Sequence, residues 1–159
     1  MRFIENLKGQ FQAEELKKEE RERRKWEQDK EALRREETER ENRQQCLMAC
    51  DFPHLMKELA EVLNDQRAIH NSAEIDKFYY YVRLYWFKEG DGSFNMINVT
   101  AMADWTIKVE GNYWGSTTLK KNDWYGNKDI QEKALEKAFK NPNKNSSGPY
   151  RYTDCSGPG

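Results

Sequence analysis

The chain has no apolar run approaching the roughly 18–20 residues that a bilayer-spanning helix requires. Its first residues also lack the basic start, apolar core and small-residue cleavage site of a secretory leader. Cysteine is scarce: three in 159 residues, an odd number, do not form a disulfide framework. Together these absences lead to the expectation of a reduced, cytoplasmic chain. The only histidines are His54 and His70. No glycine-rich phosphate loop occurs, because Gly90-Asp91-Gly92 lacks the following Lys-Ser/Thr. There is no nucleophile elbow, and no catalytic carboxylate pair stands out among acids that are everywhere. The sequence therefore assigns no catalytic residue, implies no cofactor and gives no argument for an enzyme.

Charge of one sign is missing as well. The net charge is −1, and Met1 to Cys46 carries 13 Lys/Arg against 13 Asp/Glu. Leu47 to Gly159 carries 14 against 15. Neither half has the positive bulk of a protein held by phosphates, so nucleic acid is disfavoured as a partner.

What is present divides the chain into four. In residues 1–11, Phe3, Ile4, Leu7 and Phe11 fall on one helical face, opposite Arg2, Glu5, Asn6 and Lys8. Gly9 weakens such a helix by about 1 kcal/mol relative to Ala, so the expectation is a docking segment that orders when its apolar face is covered. A protein partner, a second copy or a membrane surface are the candidate covers. The alternative is that the segment folds back on its own domain.

Residues 12–46 are a charged stretch without Pro or Gly, rich in good helix formers. Glu14–Lys18, Glu19–Arg23, Glu20–Arg24, Glu31–Arg35, Glu36–Arg40 and Glu39–Arg43 place acid four residues before base. Each pair contributes about 0.2–0.5 kcal/mol to an isolated helix. The order of charges predicts a single helix, roughly 50 Å long over residues 12–45. A two-stranded coiled coil needs two apolar seam positions per heptad. Here Trp26 and Leu33 are followed by Arg40, and the second seam holds Lys30, Glu37 and Gln44. A weak antiparallel or partner-assisted bundle through Leu16, Trp26 and Leu33 is the remaining bundle reading.

Residues 47–141 carry nearly all the aromatics and predict a small two-layer α+β domain. Asp51 and Pro53 restart a helix, with an apolar stripe of Phe52, Leu55, Met56, Leu59, Val62 and Leu63. Four antiparallel strands follow: Lys77–Lys88, Phe94–Thr100, Trp105–Glu110 and Tyr113–Leu119, the last two flanking a Gly111-Asn112 hairpin turn. A last helix opens after Gly126-Asn127 with Ile130, Ala134, Leu135, Ala138 and Phe139 on one face. Residues 142–159 read as an irregular tail.

Two constellations remain. Cys46, Cys50 and His54 recur every four residues, and thiolate and imidazole are zinc ligands. The Pro53 break falls inside that array and a fourth ligand would have to come from distant Cys155 or His70, so the bland reading of buried thiols is favoured. In Lys77–Lys88, alternation places Phe78, Tyr80, Val82, Leu84 and Trp86 on a core face. It places Tyr79, Tyr81, Arg83, Tyr85 and Phe87 on the other. Tyr and Arg are enriched at interface hot spots, which makes this second face a partner-binding candidate. The competing reading is a strand buried on both sides. The resulting expectation is a non-enzymatic assembly or adaptor subunit that binds other protein subunits. Two alternatives are an RNA-associated module using Arg83, Lys120, Lys121 and Lys128, and a small-ligand-binding α+β domain.

Overall fold

The computed structural model describes residues 2–65, 70–88 and 94–145. The chain divides into two units, Met1–Glu39 and Arg40–Gly159. Helix α1, Arg2–Ala49, contributes residues 2–39 to the first and 40–49 to the second.

Within the first unit α1 runs without interruption through Gly9, joining the two segments that the sequence separates at residue 11. Strong helix formers on either side carry the helix across the glycine penalty. Residues 3–11 are helical here with their apolar face exposed. Local terms hold this unit together. Glu20 accepts from Arg24 at 3.2 Å and from Arg23 at 3.3 Å, and Lys30 lies 4.9 Å over the Trp26 ring.

The second unit is an α+β fold. Helix α2, Phe52–Asp65, is followed by strands β1, His70–Lys77, β2, Tyr81–Lys88, β3, Phe94–Ala101, β4, Ile107–Glu110, and β5, Thr117–Leu119. Helices α3, Lys121–Trp124, and α4, Lys128–Lys140, come next, then a short β6, Asn143–Asn145. All strand pairs are antiparallel, in the spatial order β1-β2-β3-β4-β5. β6 lies along the first half of β3, through Phe94–Asn145 and Met96–Asn143.

Register explains the core. Ile75, Leu84 and Ile97 oppose one another across β1, β2 and β3, as do Val82, Val99 and Val109 across β2, β3 and β4. Ala101, Ile107 and Leu119 form the next row. This face packs on Phe52, Leu55, Met56, Ala60 and Leu63 of α2, on Ala134, Leu135 and Ala138 of α4, and on Cys46, Leu47 and Cys50. Burial of these side chains, at about 25 cal/mol per Å² of apolar surface, is the term that stabilises the unit.

Several expectations need correction. β1 was not expected, and the strand read as Lys77–Lys88 starts at Tyr81, after a turn over Phe78–Tyr80. Val82, Leu84 and Trp86 are buried as read, but Phe78 is exposed and Tyr80 half-buried. In α2 the buried position is Ala60 rather than Val62, which is exposed. The last stripe includes buried Gln131. Gly111-Asn112 is not a two-residue hairpin turn: a 3-10 turn over Tyr113–Gly115 intervenes, and Asn112 caps it by accepting from Trp114 and Gly115. Gly111 is needed for space, since a Cβ there would collide with the Ala138 and Asn141 carbonyls. Asn143–Asn145 of the expected tail is β-paired, and residues 146–159 lie outside the described residues.

Candidate functional site

The first candidate surface is the α1 face of the first unit. Phe3 is 75% exposed, Phe11 59%, and even the least accessible, Leu7, 36%; Ile4 is exposed too. Leu16, Trp26 and Leu33 are also exposed, so none of the large apolar side chains of residues 2–39 is in a core. At 100° per residue, Phe3, Ile4, Leu7 and Phe11 share an arc of about 140° with Trp26 and Leu33. Leu16 falls outside it. The same face thus carries two apolar patches, residues 3–11 and 26–33, separated by the charged stretch 14–25.

The second candidate surface lies around the β1–β2 turn. Phe78, Tyr79, Tyr80 and Tyr81 form a run of touching rings, with successive centroids 4.7, 4.9 and 5.0 Å apart. The turn is closed by Phe78 N–H donating to the Tyr81 carbonyl at 2.9 Å, and Ala101 N–H reaches the Tyr80 carbonyl at 2.7 Å. Three guanidiniums lie over three of these rings. Arg40 covers Tyr79 at 4.5 Å, Arg43 covers Tyr80 at 5.6 Å and Arg83 covers Tyr81 at 5.0 Å. The Nε atoms of Arg43 and Arg83 are buried with no hydrogen-bond partner among the described residues, so the ring faces are what hold them. The Tyr81 hydroxyl donates to Asp76 at 3.4 Å; burial, then the Asp76 charge, raises its pKa.

Of the residues assigned to an aromatic sheet face, Tyr81, Arg83 and Phe87 are half-buried on β2, opposite Thr100, Asn98 and Phe94 of β3. Tyr85 is buried. Tyr79 belongs to the turn rather than the strand and sits beneath Arg40. The accessible part of the surface is therefore the turn and its arginines. The sequence pairs Arg40 and Arg43 with Glu36 and Glu39; the structure sets both guanidiniums over tyrosine rings, which only their one-turn spacing could have signalled.

A third cluster gathers Lys121, an RNA candidate in the sequence, with three aromatic residues that the sequence does not connect to it. Trp105 and Trp124 stack with centroids 5.9 Å apart, and Trp124 Nε1 donates to the Trp105 carbonyl at 2.8 Å. Lys121 Nζ lies 4.4 Å over Trp105 and 5.3 Å over Tyr125. Trp105 has φ 65, left-handed backbone that costs roughly 1–2 kcal/mol for a non-glycine residue. Asp104 steadies this turn by accepting from Thr106 N–H at 3.0 Å, which holds its carboxyl below the usual range.

The expected metal candidates are not brought together. Cys46 and Cys50 lie in the core, and burial raises their pKa values to about 12 and about 11. Cys50 Sγ donates to the Leu47 carbonyl at 3.1 Å. His54 is exposed and pairs with Glu58 at 3.0 Å. Cys155 lies outside the described residues. Among the described residues no three His, Cys, Asp or Glu side chains converge on a common point. An apolar cleft of about 240 Å³ between α2 and α4, lined by Leu55, Leu59, Leu135 and Phe139 with Glu132 and Glu136 at its edge, is smaller than an ordinary ligand pocket. Among the described residues no helix is long and apolar enough to cross a membrane.

No protein-family model matches the chain, and no curated protein or solved structure matches it either.

Proposed function

We propose that this protein is a non-enzymatic assembly or adaptor subunit that binds protein partners. The observation carrying this reading is that none of the large apolar side chains of residues 2–39 is buried. An exposed apolar patch such as that of Phe3, Ile4, Leu7 and Phe11 marks interaction sites. In this reading Phe3, Ile4, Leu7 and Phe11 dock, the charged stretch is a semi-rigid linker, and the tyrosine–arginine turn meets a second protein. Tyr79, Tyr81 and Arg83 offer rigid amphipathic area there, with Phe87 beside them; Arg40 and Arg43 add charge at the turn. Tyr85, being buried, supports the strand instead.

The test is deletion of residues 1–11, followed by co-purification from the native host with mass spectrometry. Loss of a reproducible set of partners is the expected outcome; unchanged association overturns the docking role. Peripheral contact of residues 1–11 with a membrane predicts instead that the full chain, and not the deletion, sediments with vesicles.

The three guanidiniums beside tyrosine rings favour one second reading, an RNA-associated module. Arginine and aromatic rings together bind single strands by charge and stacking. That reading adds Lys120, Lys121 and Lys128 and predicts binding that weakens with salt. Lys121 already lies over two rings. A flat RNA titration at low salt removes the reading.

A further inference from the structure

We infer that the occupant of the α1 face in the first unit is a second copy of this chain, paired antiparallel about a two-fold axis near Lys18 and Glu19. This rests on the adaptor reading and names the partner for its docking face. The two apolar patches on the shared face are centred on either side of residues 18–19. Antiparallel pairing in which facing residue numbers sum to 37 sets Ile4 on the second copy's Leu33 and Phe11 on the second copy's Trp26. Leu7 lies one turn away, against Leu33 and Lys30 of the second copy. By symmetry each contact occurs twice, as in any isologous interface.

Charge then selects the direction. Between the patches the same arc carries Glu14, Glu15, Lys18, Arg21, Glu22 and Lys25. In a parallel, in-register pair each of these meets itself: Lys18 on Lys18, Glu22 on Glu22. In the antiparallel pair Lys18 lies beside the second copy's Glu22, and Glu15 beside its Lys25. Because 15 and 22 also sum to 37, Glu15 faces the second copy's Glu22 directly, and Lys18 and Lys25, about one turn away, flank and offset each such pair. The ion pairs that α1 makes internally, Glu20 with Arg23 and Arg24, lie on the far side of the helix and remain intact. Lys30, which covers Trp26, shifts aside to admit Phe11.

The area is modest. Phe3, Phe11 and Trp26 of both copies, 59–75% exposed now, would bury on the order of 600–900 Å². With Ile4, Leu7 and Leu33 the total approaches about 1,200 Å² only when all of these side chains are fully covered in both copies, which sets the interface at or below the lower end of stable ones. Weak association is therefore expected, and the charged centre gives register more than strength.

The experiment is sedimentation equilibrium of the full chain from about 1 to 300 μM, combined with pairwise cross-linking. The expected result is a concentration-dependent shift from 19.0 kDa to twice that mass. Phe11→Asp should weaken the association at least 100-fold while leaving the far-ultraviolet spectrum of the domain unchanged, because Phe11 contributes to no core. Cross-linking uses a Cys155→Ser background, with Leu7→Cys in one preparation and Leu33→Cys in the other. Mixed chains should cross-link to each other and not to themselves. A monomer at 300 μM overturns the inference, as does preferential Leu7→Cys self-linking, which means a parallel pair. A chain that stays monomeric yet loses host partners on deletion of residues 1–11 overturns the second copy and leaves the adaptor reading standing.

Discussion

Residues 2–39 and residues 40–145 belong to one chain but are held together by different physics. In the first, propensity and neighbouring charges maintain a helix that buries none of its large apolar side chains. In the second, a sheet face closes on three helical segments, and Trp124, Phe52, Leu84 and Met56 are fully enclosed. Each i,i+4 pair contributes only tenths of a kcal/mol, whereas a buried aromatic contributes several. Substitutions should therefore be nearly silent in one unit and severe in the other.

The largest expected effect is at Trp124. Trp124→Ala removes a fully buried ring, its stack on Trp105 and its bond to the Trp105 carbonyl. The expected loss is about 3–5 kcal/mol, read as a lower urea midpoint by near-ultraviolet circular dichroism. The helical signal of residues 2–39 should outlast that transition.

Gln131 comes next. Its Oε1 accepts from Asp51 N–H at 2.7 Å, and its Nε2 donates to the Trp124 carbonyl at 3.0 Å and to Asp51 Oδ2 at 3.4 Å. One side chain thus ties the start of α2 to the end of α3. Gln131→Ala strands these groups in the interior and should cost about 2–3 kcal/mol. Gln131→Glu should cost more above the carboxylate pKa, since it sets a charge against Asp51.

A pH scan separates the units further. Burial raises the pKa of Cys46 to about 12 and of Cys50 to about 11, against 9.0 for a free thiol. Well below pH 9, by about pH 7.5, both thiols are protonated, folded or unfolded, and contribute no slope. Above pH 9 the unfolded chain releases these protons first, so domain stability should fall progressively toward pH 12. Cys46→Ala with Cys50→Ala should flatten that part of the stability curve.

The smallest effect is in the first unit. A Cβ at Gly9 meets nothing within 4 Å. Gly9→Ala should favour the local helix by about 1 kcal/mol and leave the domain's urea midpoint unchanged.

The parts of this architecture that follow local rules were legible in the residues. The α1 helix was readable in its interleaved charges, and α2 and α4 in their apolar periodicity. The core face of β2 was readable in the alternation of Val82, Leu84 and Trp86. What escaped depends on distant partners. His70–Lys77 is too polar to read as a strand, and it becomes one by pairing with β2. Phe78–Tyr80 contains no Gly or Pro, yet it turns because the Tyr80 carbonyl bonds Ala101 and the arginines cover its rings. Gln131 looks like a surface residue until Asp51, 80 positions away, is placed against it. Trp105 breaks a local rule outright, taking a backbone conformation suited to glycine while its carbonyl and ring hold Trp124.

On this reading, helix propensity and interleaved charges alone keep residues 2–39 helical. Far-ultraviolet circular dichroism of a peptide spanning residues 2–39, at about 10 μM in dilute neutral buffer, tests it most directly. A length well beyond the roughly 12–15 residues at which isolated helices become viable predicts a predominantly helical spectrum that does not change on further dilution. A coil spectrum under those conditions contradicts the account.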